Sequence, residues 1–281
     1  MRRRLAIPLR GPIAAIVMSL ATVASAGEVV IPNFFDPGRR IDLPPPAALT
    51  PLRFATVADF PPFSFTGPDG ALTGFNVELA RAICRELAVA CTMQTRPFES
   101  LGASIAEVRI DAAIAGIAIT PAARETLGFS DVYLRPAARF IAPSGATTAE
   151  IDADRLKGRT VAVAAGSAHE AYLASFFPGV RRQATTSPIA AAEAVRDGAA
   201  DFAFGDGIAL AFWLQSPAAR DCCAFAGGPY LESRFFGEGY AIALPKDRPE
   251  LRQAINWALD SLSDKGVFAE LYLRYFPVGY F

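Results

Sequence analysis

Apolar and polar residues change period several times along the chain, and each change marks an element. Alternation over Leu52-Arg53-Phe54-Ala55-Thr56-Val57 predicts a strand, and two prolines stiffen the turn Ala58-Asp59-Phe60-Pro61-Pro62-Phe63 that follows. Pro68-Asp69-Gly70 predicts a hairpin-like turn. The spacing then becomes helical, with apolar residues at 77, 80, 84 and 87 and Asn76 as the expected cap. A strand from Cys91 to Thr95 and a helix with Leu101, Ile105 and Val108 on one face lead to a short apolar strand that starts at Asp111 and stops at Gly116. Arg135 to Pro143 reads as a strand crossing to a second unit. Its Arg139 lies in an apolar run, so it must either pair with an acid at a boundary or project into a cleft.

The second unit repeats the alternation. Thr160 to Ala164 is a strand ending in Ala165-Gly166-Ser167; helices near 168–176 and 187–197 flank a strand around Val180; Ala200 to Asp206 is a buried strand ending in an acid. Gly239 to Lys246 reads as a return strand, and two helices close the chain, one from Pro249-Glu250 with Leu251, Ile255, Leu259 and Leu262 inward, the other after Gly266. Strands alternating with helices predict α/β units with parallel pairing in doubly wound sheets. In such sheets ligands sit beyond the carboxyl ends of the strands, which draws attention to Gly116, Gly166-Ser167 and Asp206.

The first fifty residues follow neither period. Residues 1–26 carry Arg2, Arg3, Arg4 and Arg10, an apolar run from Ile13 to Val23 and the small residues Ala24-Ser25-Ala26, the pattern of a cleaved secretory signal. Residues 27–51 are proline-rich without helical or strand period and predict an extended arm laid on or beside the first domain. Loss of the signal removes four arginines and no acid and moves the net charge from −1 to −5, which argues against a nucleic-acid partner.

An exported chain meets an oxidising compartment, where its four cysteines can pair. Cys84 and Cys91 flank a helix-to-strand turn within reach of a bridge, whereas adjacent Cys222 and Cys223 are expected to stay as two half-buried thiols. A single histidine, His169, and the lack of Cys-x-x-Cys give no reason to expect a metal or another cofactor. Serine-hydrolase elbows, zinc-protease helices and Walker loops are not present either.

The run DAAIAGIAITPAARETLGFSDVY from Asp111 to Tyr133, with Gly74-Phe75-Asn76-Val77-Glu78-Leu79-Ala80, resembles segments of the family 3 extracellular solute-binding proteins, the periplasmic receptors for polar amino acids. The resemblance covers about 52 to 281. It implies a type II periplasmic-binding fold with two α/β lobes and two hinge crossings, lobe 1 from 52–140 and 241–281 and lobe 2 from 141–240. It further implies a monomer that takes up a small polar solute, an amino acid or a derivative, and delivers it to an inner-membrane ABC permease. A pair of cysteines spaced like Cys84 and Cys91 is bridged in some members.

By the same resemblance, Phe60 and Phe98 form an aromatic clamp beside Asp59, Gly116 and Ala118 offer backbone donors, Gly166 and Ser167 receive a carboxylate, and Asp206 pairs with an ammonium group. Phe60 fits core packing equally well, and Asp206 fits a helix cap. Two departures stand out: the family's carboxylate-binding arginine falls on Ala123, which leaves the carboxylate to Arg124 one step further, or failing that to Arg139 or backbone groups, and its serine or threonine falls on Ala118. Relatives of the fold include prephenate-type dehydratases, a second reading in which Asp59 or Glu99 supplies an acid; an accessory or sensor protein docking through the arm is a third.

Overall fold

The computed structural model describes residues 31–36, 38, 41–43, 51–146, 150–276 and 279–280. The expected signal and much of the expected arm lie outside the described residues. The first lobe contains β1 (Leu52–Thr56), β2 (Asp59–Phe60), β3 (Ser64–Thr66), β4 (Leu72–Thr73), α1 (Phe75–Glu86), β5 (Cys91–Thr95), α2 (Leu101–Ala106), β6 (Ala112–Ala113), α3 (Pro121–Thr126) and β7 (Leu127–Phe129). The second contains β8 (Ala138–Pro143), α4 (Ala153–Leu156), β9 (Thr160–Ala164), α5 (Ala168–Phe176), β10 (Arg181–Thr185), α6 (Pro188–Arg196), β11 (Phe202–Asp206), α7 (Gly207–Leu214), β12 (Cys223–Tyr230) and α8 (Ser233–Phe236). The chain then returns to the first lobe through β13 (Ala243–Pro245), α9 (Pro249–Asp264) and α10 (Val267–Tyr275).

The two lobes have five-stranded sheets of matching design, ordered β5-β1-β6-β13-β7 and β10-β9-β11-β8-β12. Parallel pairing holds in each for the first three strands. The fourth is antiparallel to both neighbours, because β13 and β8 are the strands that enter each lobe from the other. The sheets are therefore mixed, where alternation alone predicted parallel pairing throughout. Ala138 already belongs to the second sheet, so the first crossing lies before it and not at 140.

The crossing segments are paired with one another: the Tyr133 N–H donates to Tyr240 O at 2.9 Å, and the Tyr240 N–H donates to Leu134 O at 2.6 Å. Gly239 permits this approach at φ 125°, since a Cβ there would lie 2.5 Å from Val132 Cγ1 and 2.8 Å from Leu134 O. Beside this joint, Ile208 and Ala211 of α7 pack into the lobe 1 core with Tyr133, Tyr272 and Tyr280.

Lobe 1 is built on Phe54, Phe75, Leu79 and Ile83, all fully buried, against α9 and α10; burying one such side chain stabilises the fold by about 1.5–3 kcal/mol. Asn76 is not the helix cap that its sequence context predicts. Gly74 takes that place, while Asn76 is buried, donates to Ile114 O at 3.3 Å and accepts from the Tyr133 hydroxyl at 2.9 Å. Satisfying those two buried groups outweighs a cap. The described part of the arm packs on the same lobe, Phe35 meeting Phe268 edge-on at 5.4 Å and the Asp42 carbonyl accepting from Gln253 at 2.7 Å.

Cys84 at the end of α1 is bonded to Cys91 at the start of β5. Cys222 and Cys223 are also bonded to each other, contrary to the expectation of two separate thiols. Arg220 and Asp221 both take left-handed backbone at φ 52° and 54°, which turns the chain sharply there, and the Cys222 carbonyl is held by the Ser144 N–H at 2.8 Å.

Candidate functional site

A cavity of about 590 Å³ opens between the lobes beside the crossing segments. Lobe 1 supplies Phe60, Pro61, Pro62, Phe63 and Phe65 from the β2–β3 hairpin; lobe 2 supplies Asp206, Ile208, Ala209 and Phe212; Tyr240 comes from the second crossing. The size lies within the range of roughly 300–1,000 Å³ usual for small-molecule sites.

The hairpin owes its position to the end of β1, where Thr56 Oγ1 donates to Ile114 O at 2.6 Å and meets Ser64 Oγ at 3.0 Å. Phe60 stacks on Phe63 with centroids 4.7 Å apart, and Tyr240 meets Phe63 edge-on at 5.2 Å. Gly116, at φ 68°, lies directly behind this wall: a Cβ there would sit 3.1 Å from Phe60 Cε1. A small residue is needed at that strand end for Phe60 to lie flat against it.

Asp206 both caps α7 and faces the cavity. Its Oδ1 accepts from the Ala209 N–H at 2.8 Å, and the carboxylate is the only charged group among the lining residues. Burial pushes its pKa up, and the helix N–H groups of Ala209 and Ile208 pull it partly back. The Tyr240 hydroxyl is pushed well up by burial and further by the charge of Asp206.

The other sequence-derived positions lie elsewhere. Phe98 is 52% exposed and is not a wall of the cavity; Phe63, Phe65, Phe212 and Tyr240 occupy that role around Phe60. Asp59, Glu99 and Ala118 are exposed and do not line it. Ser167 caps α5: its hydroxyl donates to Ala164 O at 2.7 Å and accepts from the Glu170 N–H at 3.1 Å. Glu170 in turn accepts from the Gly166 N–H at 2.7 Å, so a carboxylate of the chain itself fills this anion-binding turn.

The two candidate arginines also turn away. Arg124 pairs with Glu238 at 2.6 Å and lines a separate cavity of about 150 Å³ with Lys246, Arg248 and Arg252. Arg139 is 9% exposed, with its guanidinium 4.4 Å from the Phe225 ring centre and its Nε without a partner. Burial lowers its pKa. It neither pairs with an acid among the described residues nor lines the cavity, because Phe225 and Gly228 leave just enough room for it to lie inside lobe 2.

Sequence reasoning missed Phe63, Phe65, Phe212 and Tyr240. The first two lie in the hairpin already marked by Phe60, and the third sits nearly two turns beyond Asp206 on α7, so both neighbourhoods carried a signal. Nothing local marked Tyr240.

Two mixed α/β lobes, joined by paired crossings with a cavity between them, define a solute receptor of the type II periplasmic-binding architecture. Over residues 52–278 the chain matches the bacterial extracellular solute-binding proteins, family 3, and it belongs to that family. It is 32% identical to the L-arginine-binding protein of Pseudomonas aeruginosa over 84% of this chain and 92% of that one. It is 31% identical to the putative ABC transporter arginine-binding protein 2 of Escherichia coli over 80% and 90%, respectively. The solved unliganded, open L-cystine solute receptor of Neisseria gonorrhoeae, 18% identical, superposes with a TM-score of 0.72 over 81% of this chain and 93% of that one and shares the fold.

Proposed function

We propose that this protein is the periplasmic receptor of an ABC import system, capturing a small polar nitrogen compound, an amino acid or a derivative, between its lobes. One observation carries the reading: Phe60 of lobe 1 and Asp206 of lobe 2 line the same cavity, across a joint about which the lobes can rotate. Closure would desolvate the guest, place its apolar part on the rings and set its positive charge against the carboxylate. The closed form is what an inner-membrane permease would accept, from a monomer exported through residues 1–26. Names of relatives that bind arginine agree with an acid in the site. A dehydratase-type reaction finds less support, because Asp59 and Glu99 lie outside the cavity and Asp206 already serves a helix.

A thermal-shift screen of amino acids, polyamines, opines and small carboxylates tests this. At a hundredfold excess over Kd, a ligand stabilises the folded form by about 2.7 kcal/mol. For a chain of this size that raises Tm by about 5–10 °C. Phe60→Ala should remove most of that shift, read against the variant's own unliganded Tm, which the lost ring contacts will lower. No response to any compound class would overturn the receptor reading.

A further inference from the structure

Among the described residues, the side chains that the sequence offers for holding an anion are missing, engaged by the chain itself or turned away from the cavity. Positions 118 and 123 are alanines, without a donor side chain. The hydroxyl of Thr120 accepts from the Ala123 N–H at 3.0 Å and so serves as a helix cap. Gly166 N–H and Ser167 Oγ are taken by Glu170 and Ala164. Arg124 is paired with Glu238, and Arg139 is enclosed against Phe225. What lines the cavity is a ring of apolar and aromatic side chains around one acid, with no basic residue.

Charge accounting follows from that lining. A monocation would neutralise Asp206 and leave no buried charge unpaired. A zwitterion, or a basic amino acid, would bring a carboxylate into the same apolar space, near Asp206 and with no basic side chain in the lining to balance it, the Tyr240 hydroxyl being a neutral donor. Burying such an unpaired carboxylate costs several kilocalories per mole, enough to offset the contact with Asp206. The faces of Phe60, Phe63 and Tyr240 favour the opposite sign, since ring quadrupoles attract cations.

We infer that the ligand is an organic monocation without a carboxylate, an amine or guanidine on an apolar or aromatic body, held by Asp206 and the aromatic wall. This rests on the receptor reading and narrows it from amino acids and their derivatives to the decarboxylated derivatives.

Calorimetry of the purified protein with matched pairs tests the inference: leucine and isoamylamine, tyrosine and tyramine, phenylalanine and phenethylamine, each pair differing by the carboxylate alone and each amine a monocation. In at least one pair the amine should bind tenfold or more tightly than its amino acid, and the amino-acid methyl ester should bind like the amine. Asp206→Asn should weaken the amine at least a hundredfold while its circular dichroism matches that of the native protein. If the amino acid binds as tightly as its amine or more tightly in every pair, the inference fails and the receptor reading stands. If the amine binds equally well to Asp206→Asn, the assignment of the cation to that carboxylate is wrong. Silence from all six compounds and the esters overturns the inference, and a wider screen that also stays silent takes the receptor reading with it.

Discussion

His169, the only histidine in the chain, offers a direct test of how tightly lobe 2 is packed. It is the second residue of α5, with its ring stacked on Phe236 at 5.1 Å and against Phe204 at 5.8 Å. Burial among these rings lowers its pKa from the ordinary 6.5 to about 4. The adjacent helix N-terminus also disfavours an imidazolium. A tenfold change in a protonation equilibrium corresponds to about 1.4 kcal/mol, and with some discount for the part of the ring that solvent reaches, the neutral requirement is worth about 2–3 kcal/mol.

The sign is set by the depressed folded value. Stability from this residue is complete above the unfolded pKa and is lost as pH falls from 6.5 towards 4. A proton NMR titration reads the imidazole without ambiguity, because there is one. Urea unfolding of the native protein and of His169→Phe at pH 7 and 4.5 gives the energetic counterpart, the difference between the two chains cancelling the carboxylates that titrate in both. The native protein should lose about 2 kcal/mol more than the variant over that interval. An imidazole pKa at or above 6, or parallel losses in the two proteins, would refute the packing described for α5 and α8.

Two further perturbations test lobe 1. The Cys84–Cys91 bridge closes a short loop, and the chain-entropy relation assigns it about 2.5 kcal/mol; Cys84→Ser with Cys91→Ser should lower the guanidinium unfolding free energy by that amount, and a change below 0.5 kcal/mol, roughly the noise of such a measurement, would show that the bridge adds nothing. Burial raises the pKa of Asp111, but hydrogen bonds from the Arg53 side chain and backbone and the charges of Arg53 and Arg248 bring it below the usual carboxylate range. Its stabilisation is therefore present above the unfolded pKa and lost as pH falls through the lowered one. Because both arginines are about one-third exposed, Asp111→Asn should cost about 2–3 kcal/mol at pH 7, below the full range for a buried pair, and a cost under 1 kcal/mol in the same assay would sink that account.

Much of the fold is legible in the chain because local periodicity and strand-end chemistry are local facts. The alternation at Leu52–Thr56, the helical spacing from Phe75 and the proline starts of α6 and α9 need no tertiary information. The same holds for Asp206, since an acid between a buried strand and an apolar helix must cap, face a cleft or do both. Asn76 shows the limit: its place before an apolar helical run suits a cap, and only the approach of Tyr133 and Ile114 from distant sequence decides otherwise.

What tertiary structure alone decided is which groups remain free to meet a guest. Sequence names Arg124, Arg139 and Ser167 as receivers of negative charge, but whether a side chain is available depends on its neighbours in space. Glu238 neutralises the first, Phe225 covers the second, and the helix cap uses the hydroxyl of the third. Tyr240 enters the cavity because the second crossing pairs with the first, a contact between residues about a hundred positions apart. The order of residues determined two hinged α/β lobes with an acid at one strand end, whereas the polarity of the space between them was set by long-range pairing of charges and rings that no local pattern encodes.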